Sequence, residues 1–135
     1  MRAAEGRPIS EVGSRRAQSY DAAMLGARAT YIGGCASTAC AIADREYGIP
    51  AVGTMAHSWV QMFDSEYEAF KNYAMVYPDD SVFLIDTYNV LKSGVPNAIR
   101  VANEVLIPQG KRLKGVRIDS GDIAYLSKKA RLMLD

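Results

Sequence analysis

The feature that most constrains this chain is a recurring pair: a short apolar run followed by a longer amphipathic stretch. The last three such runs begin at Pro50, Ser81 and Gly115, about thirty-odd residues apart, the size of a strand, a helix and their connections. Alternation of this kind argues for parallel strands, because a parallel pair needs a long crossover and a helix is the usual crossover. The expected fold class is α/β, part of an irregular βα barrel with about four strand and helix units. Four strands are expected: Pro8 to Val12, Ile49 to Thr54, Ser81 to Asp86 (Ser-Val-Phe-Leu-Ile-Asp) and Gly115 to Ile118.

The helices follow from caps and periodicity. Ser19 or Asp21 can cap an Ala-rich helix reaching about Tyr31, and Gly33-Gly34 ends it. Ser37 and Thr38 can cap a second helix to about Glu46, stopped by Gly48 and Pro50. A third helix is expected from about Ser58 to Ala74, with Trp59, Met62, Phe63, Phe70 and Tyr73 as its apolar stripe. Val95 to Val105 has helical periodicity with Pro96 near its start, and Asp122 can cap a last helix from Ile123 to Leu134. Lys128, Lys129 and Arg131 on that helix read as a solvated face.

Composition narrows the function classes. Hydrophobic residues at 49% and charged residues at 23% belong to a folding, globular sequence, and 135 residues suggest one domain by length alone. Sixteen basic against fifteen acidic residues give a net charge of +1, so no general attraction to nucleic acid or to an anionic membrane is implied. Any anion must be bound locally. Apolar stretches fall short of a membrane span, and the chain reads as cytoplasmic. Cys35 and Cys40 lack the partners of a zinc set and are expected as free thiols; no metal site made of protein ligands alone is expected. The dinucleotide and Walker glycine fingerprints are absent.

In parallel α/β folds, ligands bind at the carboxyl ends of the strands, where loops vary on a rigid support. The polar residues gather there: Ser14, Arg15 and Arg16 after the first strand, Thr54, His57 and Ser58 after the second, Asp86 and Thr87 after the third, Arg117, Asp119, Ser120 and Asp122 at the fourth. His57 is the single histidine. A lone histidine is more often structural, but this one sits on a strand-to-helix turn whose free amides favour phosphate, and Asp86 on the neighbouring strand can orient the ring. A capping role is the bland alternative. Arg15 and Arg117 offer planar donor forks suited to phosphate or carboxylate, or else are ordinary exposed charges. Asp119-Ser120-Gly121-Asp122 can be a site or only a turn with a helix cap, and the turn reading suits Asp122 better than Asp119.

Seven blocks then carry a resemblance over nearly the whole chain: residues 13–18 (Gly-Ser-Arg-Arg-Ala-Gln), 31–34 (Tyr-Ile-Gly-Gly), 48–50 (Gly-Ile-Pro), 53–58 (Gly-Thr-Met-Ala-His-Ser), 86–88 (Asp-Thr-Tyr), 93–99 (Ser-Gly-Val-Pro-Asn-Ala-Ile) and 117–122 (Arg-Ile-Asp-Ser-Gly-Asp). In order and spacing the sequence resembles nicotinate phosphoribosyltransferase. The resemblance implies a type II phosphoribosyltransferase with an irregular α/β barrel, a separate domain and a homodimer. It also implies joining nicotinate to phosphoribosyl pyrophosphate, giving nicotinate mononucleotide and pyrophosphate in NAD biosynthesis. ATP is the implied co-substrate, acting through a phosphohistidine, with Mg2+ accompanying the phosphates. Carried over by position, His57 is that histidine, Asp86 the carboxylate beside it and Asp119 the residue facing the ribose. Arg15 and Arg117 hold base and phosphates, and Gly53, Thr54 and Ser58 line the pocket.

Two places depart from the family's pattern. Val12 stands where an aromatic ring usually stacks on the pyridine, and Thr38-Ala39-Cys40 replaces Thr-Ser-Asn, removing a hydroxyl and an amide from beside the base. Family members are several hundred residues long, so residues 1–135 are expected to be an internal catalytic-core segment without the N-terminal domain and later barrel strands, and inactive in isolation. A non-catalytic α/β module binding phosphorylated ligands or the full enzyme is the alternative, against which His57, Arg15, Arg117 and Asp119 are all retained. A flavodoxin-like phosphoacceptor domain is disfavoured because arginines, not acids, follow the first strand.

Overall fold

The structure, a computed structural model, describes residues 2–135. Strands and helices alternate in part, with three helices in succession over 41–76, and they fall into two compact units, residues 1–53 and 54–135, where length alone suggests one domain.

In the first unit, β1 (Ser10–Glu11) leads into a single turn of tight helix at Ser14–Arg16 and then α1 (Tyr20–Ile32). Ser19 is the cap: its hydroxyl accepts from the Ala22 amide at 3.1 Å. The expected cap at Ser37 and Thr38 is not one. These residues instead form β2 (Ser37–Thr38), which pairs in parallel with β1. Helix α2 (Ala41–Tyr47) starts two residues later than a Thr38 cap would set it, with Cys40 at its cap position and no side-chain capping bond there. Gly48 closes it in the left-handed conformation, φ 64°, which glycine adopts without penalty. The strand expected over Ile49 to Thr54 is reduced to one bridge, Thr38 to Ala51. The Thr38 amide donates to Pro50 and its carbonyl accepts from Val52. Proline at 50 has no amide to extend the ladder. The core here is small: Met24, Ala27, Ala43 and Ile49.

In the second unit the expected helix from Ser58 to Ala74 is two helices, α3 (His57–Gln61) and α4 (Glu66–Val76). Ser65 breaks the run by capping α4, its hydroxyl accepting from the Glu68 amide. As a result Met62 is not part of the packed stripe and is 78% exposed, whereas Phe70 is buried and Trp59, Phe63 and Tyr73 pack against the core. Strands β3 (Val82–Leu84) and β4 (Gly115–Arg117) pair in parallel, Val82 opposite Gly115 and Leu84 opposite Arg117. Between them lies α5 (Val95–Val101), flanked by wider π turns at Val90–Gly94 and Ala102–Leu106. Pro96 has no amide to donate, and the Gly94 amide reaches back five residues to Asn89. Gly94 is obligatory, since a Cβ there would lie 2.0 Å from the Ile85 carbonyl oxygen. Helix α6 (Ile123–Leu134) matches its expected span, capped by Asp122.

The core of this unit is built from Phe70 stacked on Phe83 with centroids 4.7 Å apart, together with Leu84, Ile85, Val60, Val95, Val101 and Leu106. The class is therefore α/β with parallel strands. Those strands form two separate two-stranded pairs.

Candidate active site

Of the candidate residues that the sequence pattern places at strand ends in the second unit, the structure links Thr54, His57, Asp86, Arg117 and Asp119 by hydrogen bonds. β3 runs apolar and buried to Ile85, so the first polar residue, Asp86, emerges at its carboxyl end. Its side chain is only 2% exposed. One oxygen, Oδ1, lies 3.1 Å from His57 Nε2. The other, Oδ2, accepts from the Asp119 amide at 3.0 Å and the Ser120 hydroxyl at 2.6 Å. Burial by itself would raise this carboxyl's pKa, but the bonds from Ser120, the Asp119 amide and His57 outweigh it and hold Asp86 below the usual carboxylate value. Asp86 is thus an ionised, acceptor-only group in a nearly closed setting.

That fixes the histidine. An ionised carboxylate can only accept, so Nε2 carries a proton, and in the neutral ring Nδ1 is then the nitrogen with the lone pair. The ring is 40% exposed, which leaves it open to a reacting partner. His57 is the first residue of α3, a helix of five residues, so any pull on an anion comes from the free amides of one turn and not from the long helix that the sequence suggested.

Arg117, the last residue of β4, donates from one terminal nitrogen to Thr54 Oγ1 at 2.7 Å and from the other to Asp119 Oδ1 at 2.5 Å. The guanidinium and the Asp119 carboxylate are each more than a third exposed, 38% and 39%. Thr54, Arg117, Asp119, Asp86 and His57 therefore form one connected polar chain. Ser58 lies exposed beside His57, without a hydrogen bond to another described side chain. Arg15 and Gly53 belong to the first unit: Arg15 is exposed on the Ser14–Arg16 turn, and Gly53 is exposed with open space where a side chain would be.

One contributor to the site, Ser120, and one buried structural carboxylate, Glu66, are not among the residues selected from the sequence. Ser120 stands among the polar residues at the fourth strand end without a role of its own, yet its hydroxyl makes the shortest of the three bonds to Asp86; its place one residue after Asp119 is the available signal. Glu66, 3% exposed, accepts from Ser93 and Asn97, and no local pattern marks it. Cys35 and Cys40 are free thiols.

The sequence pattern of the nicotinate phosphoribosyltransferase (NAPRTase) family matches residues 8–132. The chain belongs to that family. It is 55% identical over 127 residues to nicotinate phosphoribosyltransferase of Bacillus subtilis, covering 93% of this chain and 25% of that protein. It is 47% identical over 135 residues to nicotinate phosphoribosyltransferase pncB2 of Mycobacterium tuberculosis, covering 98% of this chain and 28% of the relative. Among solved structures, that of human nicotinic acid phosphoribosyltransferase superposes with a TM-score of 0.87 at 28% identity, over 97% of this chain and 36% of the human one. The chain thus spans about a quarter to a third of the phosphoribosyltransferases that it matches.

Proposed function

We propose that this chain is the catalytic-core segment of an ATP-coupled nicotinate phosphoribosyltransferase, which joins nicotinate to phosphoribosyl pyrophosphate in NAD biosynthesis. The observation that carries the reading is the half-exposed His57 ring held through Nε2 by the buried, ionised Asp86. In this role the Nδ1 lone pair of His57 attacks the γ-phosphorus of ATP, the bond to the bridging oxygen breaks, and ADP leaves. Asp86 keeps the proton on Nε2 and offsets the positive charge that builds on the ring.

Phosphoribosyl transfer builds positive charge on the ribose and negative charge on departing pyrophosphate. Asp119 supplies a carboxylate for the first and Arg117 a guanidinium for the second, and a mutual bond holds the two side chains together. Thr54 and Ser58 serve the phosphates, and Arg15 and Gly53 are substrate-binding residues of the first unit. Mg2+ suits this donor set as a guest of the substrate phosphates, since it needs only one or two protein carboxylates. Asp119 is exposed enough to serve, and no cluster of three or more metal-ligating side chains occurs among the described residues. When bound, the ion would screen charge on the leaving pyrophosphate.

The barrel, the homodimer and a cytoplasmic location belong to the same proposal. No described helix is long and apolar enough to cross a membrane, and near-neutral charge gives no nucleic-acid footprint. The test is to incubate the segment, within a chain of the family's full length, with γ-labelled ATP. An acid-labile label on the wild type that is lost in His57→Ala is expected. Label retained in the variant overturns the assignment.

A further inference from the structure

The carboxylate of Glu11 stands at the joint end of the β1 and β2 pair and ties two loops together. Its Oε1 accepts from the Gly13 amide, at the start of the turn that carries Arg15 and Arg16. Its Oε2 accepts from the Thr38 hydroxyl at 2.6 Å. The fully buried Thr38 oxygen in turn accepts from the Cys40 amide at 3.0 Å. The Glu11 carbonyl accepts from the Ala39 amide at 2.7 Å. One residue therefore fixes the arginine turn on one side and Thr38-Ala39-Cys40 on the other, both at carboxyl ends of parallel strands, where such folds bind ligands.

The reason a side chain must do this is local. β1 and β2 are each two residues long, too short for a ladder to hold their loops. The apolar core of this unit is also small. A carboxylate accepts with both oxygens at once and forms stronger bonds than a neutral acceptor, so it can serve as the clamp that strand pairing does not provide.

We propose that Glu11 is a positioning residue that sets the nicotinate subsite, by holding the Gly13–Arg16 turn in register with the Thr38–Cys40 loop. The proposal rests on the reading of Arg15 and of residues 38–40 as base-binding. Glu11 itself need not touch substrate. It fixes where Val12 and Arg15 are presented, and the loss of that order falls on base binding, because misplacement of a positioning group by an ångström is enough to weaken a bound geometry.

The experiment uses the segment within a chain of the family's full length. Glu11→Ala is expected to raise the KM for nicotinate about tenfold, with the KM for phosphoribosyl pyrophosphate changed less than about twofold. Glu11→Gln is the conservative rescue. Its oxygen can still accept from Gly13 and its amide can donate to the Thr38 oxygen, so nicotinate KM returns to within about threefold of wild type. Thr38→Val, which removes the hydroxyl at nearly constant volume, gives part of the Glu11→Ala effect and keeps the proposal testable if Glu11→Ala does not fold. Amide hydrogen exchange supplies a readout free of catalysis: Gly13 and Cys40 exchange faster in Glu11→Ala, and amides of α4 do not. Unchanged nicotinate KM in a folded Glu11→Ala, or an equal rise for both substrates, overturns the proposal. If Arg15→Ala leaves nicotinate KM unchanged while the exchange result stands, the base-binding reading falls separately from the clamp.

Discussion

The two units solve the same problem, holding loops at the ends of parallel strands, by different means. Residues 54–135 bury a continuous apolar core in which Phe70 stacks on Phe83 and Leu84, Ile85, Val95, Val101 and Leu106 are fully enclosed. The strand end that presents Asp86 is thereby supported by apolar packing as well as by polar contacts. Among the described residues of the first unit the buried apolar side chains are Met24, Ala27, Ala43 and Ile49, while Leu25, Ile32 and Val52 stay exposed. There the order of the loops depends on hydrogen bonds, chiefly through Glu11 and the buried Thr38. The difference teaches that in one chain the same strand-end geometry can be held by packing or by a polar clamp. The two respond to different perturbations.

The sharpest break is in the larger core. Phe70→Ala removes a fully buried ring and its stack on Phe83, and a loss of about 3–5 kcal/mol is expected. Ile49→Val, in the small core, should cost only about 0.5–1.5 kcal/mol. Denaturant unfolding, with hydrogen exchange followed separately over residues 1–53 and 54–135, checks both. Comparable losses would erase the contrast.

A smaller effect separates the units by acid. The folded pKa of Asp86 lies below its unfolded value, which is near 3.9 for an aspartate. Its contribution to stability is therefore complete above about pH 4 and is lost as pH falls through the lowered folded value. On acid titration, amide protection around Asp119 and Ser120 should fall in that window. Asp86→Asn should abolish the dependence. Persistence of the same pH profile in the variant would assign it to another group.

The smallest effect concerns the opposite ends of β3 and β4, where Lys111 pairs with Asp79 and Lys114 with Asp80, each at 2.5 Å. These pairs are exposed, so salt screens them and side-chain entropy opposes them. Lys114→Ala should leave the unfolding midpoint unchanged at physiological salt, with any loss confined to low salt. A clear loss at physiological salt would mean that electrostatics, beyond packing, holds this unit.

Legibility from sequence followed how locally each feature is decided. The span of α6 and its Asp122 cap were readable, because a cap, an amphipathic period and a basic last turn all lie within a dozen residues. The contact of His57 with Asp86 is anticipated from the sequence, although the strand expected before His57, the basis of that expectation, is reduced to one bridge. The break at Met62 was missed because Ser65 has two readings, helix interior or cap, and its immediate neighbours do not distinguish them. Thr38 was misread as a cap for a related reason: the same hydroxyl can serve a helix start or a strand partner, and the choice depends on Glu11, twenty-seven residues away.

By itself the sequence determined the alternation of strand and helix, the parallel sense of the pairing, the polar residues at strand ends and the family motifs in order. These rest on periodicity and local chemistry, which a linear reading carries. Tertiary structure alone decided that Ser120 joins His57 on Asp86, that Gly94 must pack on the Ile85 carbonyl, and that Glu11 and Glu66 are structural carboxylates. Each of those depends on which backbone passes within hydrogen-bond or van der Waals reach, a distance set by packing between segments and not encoded in any neighbouring residue.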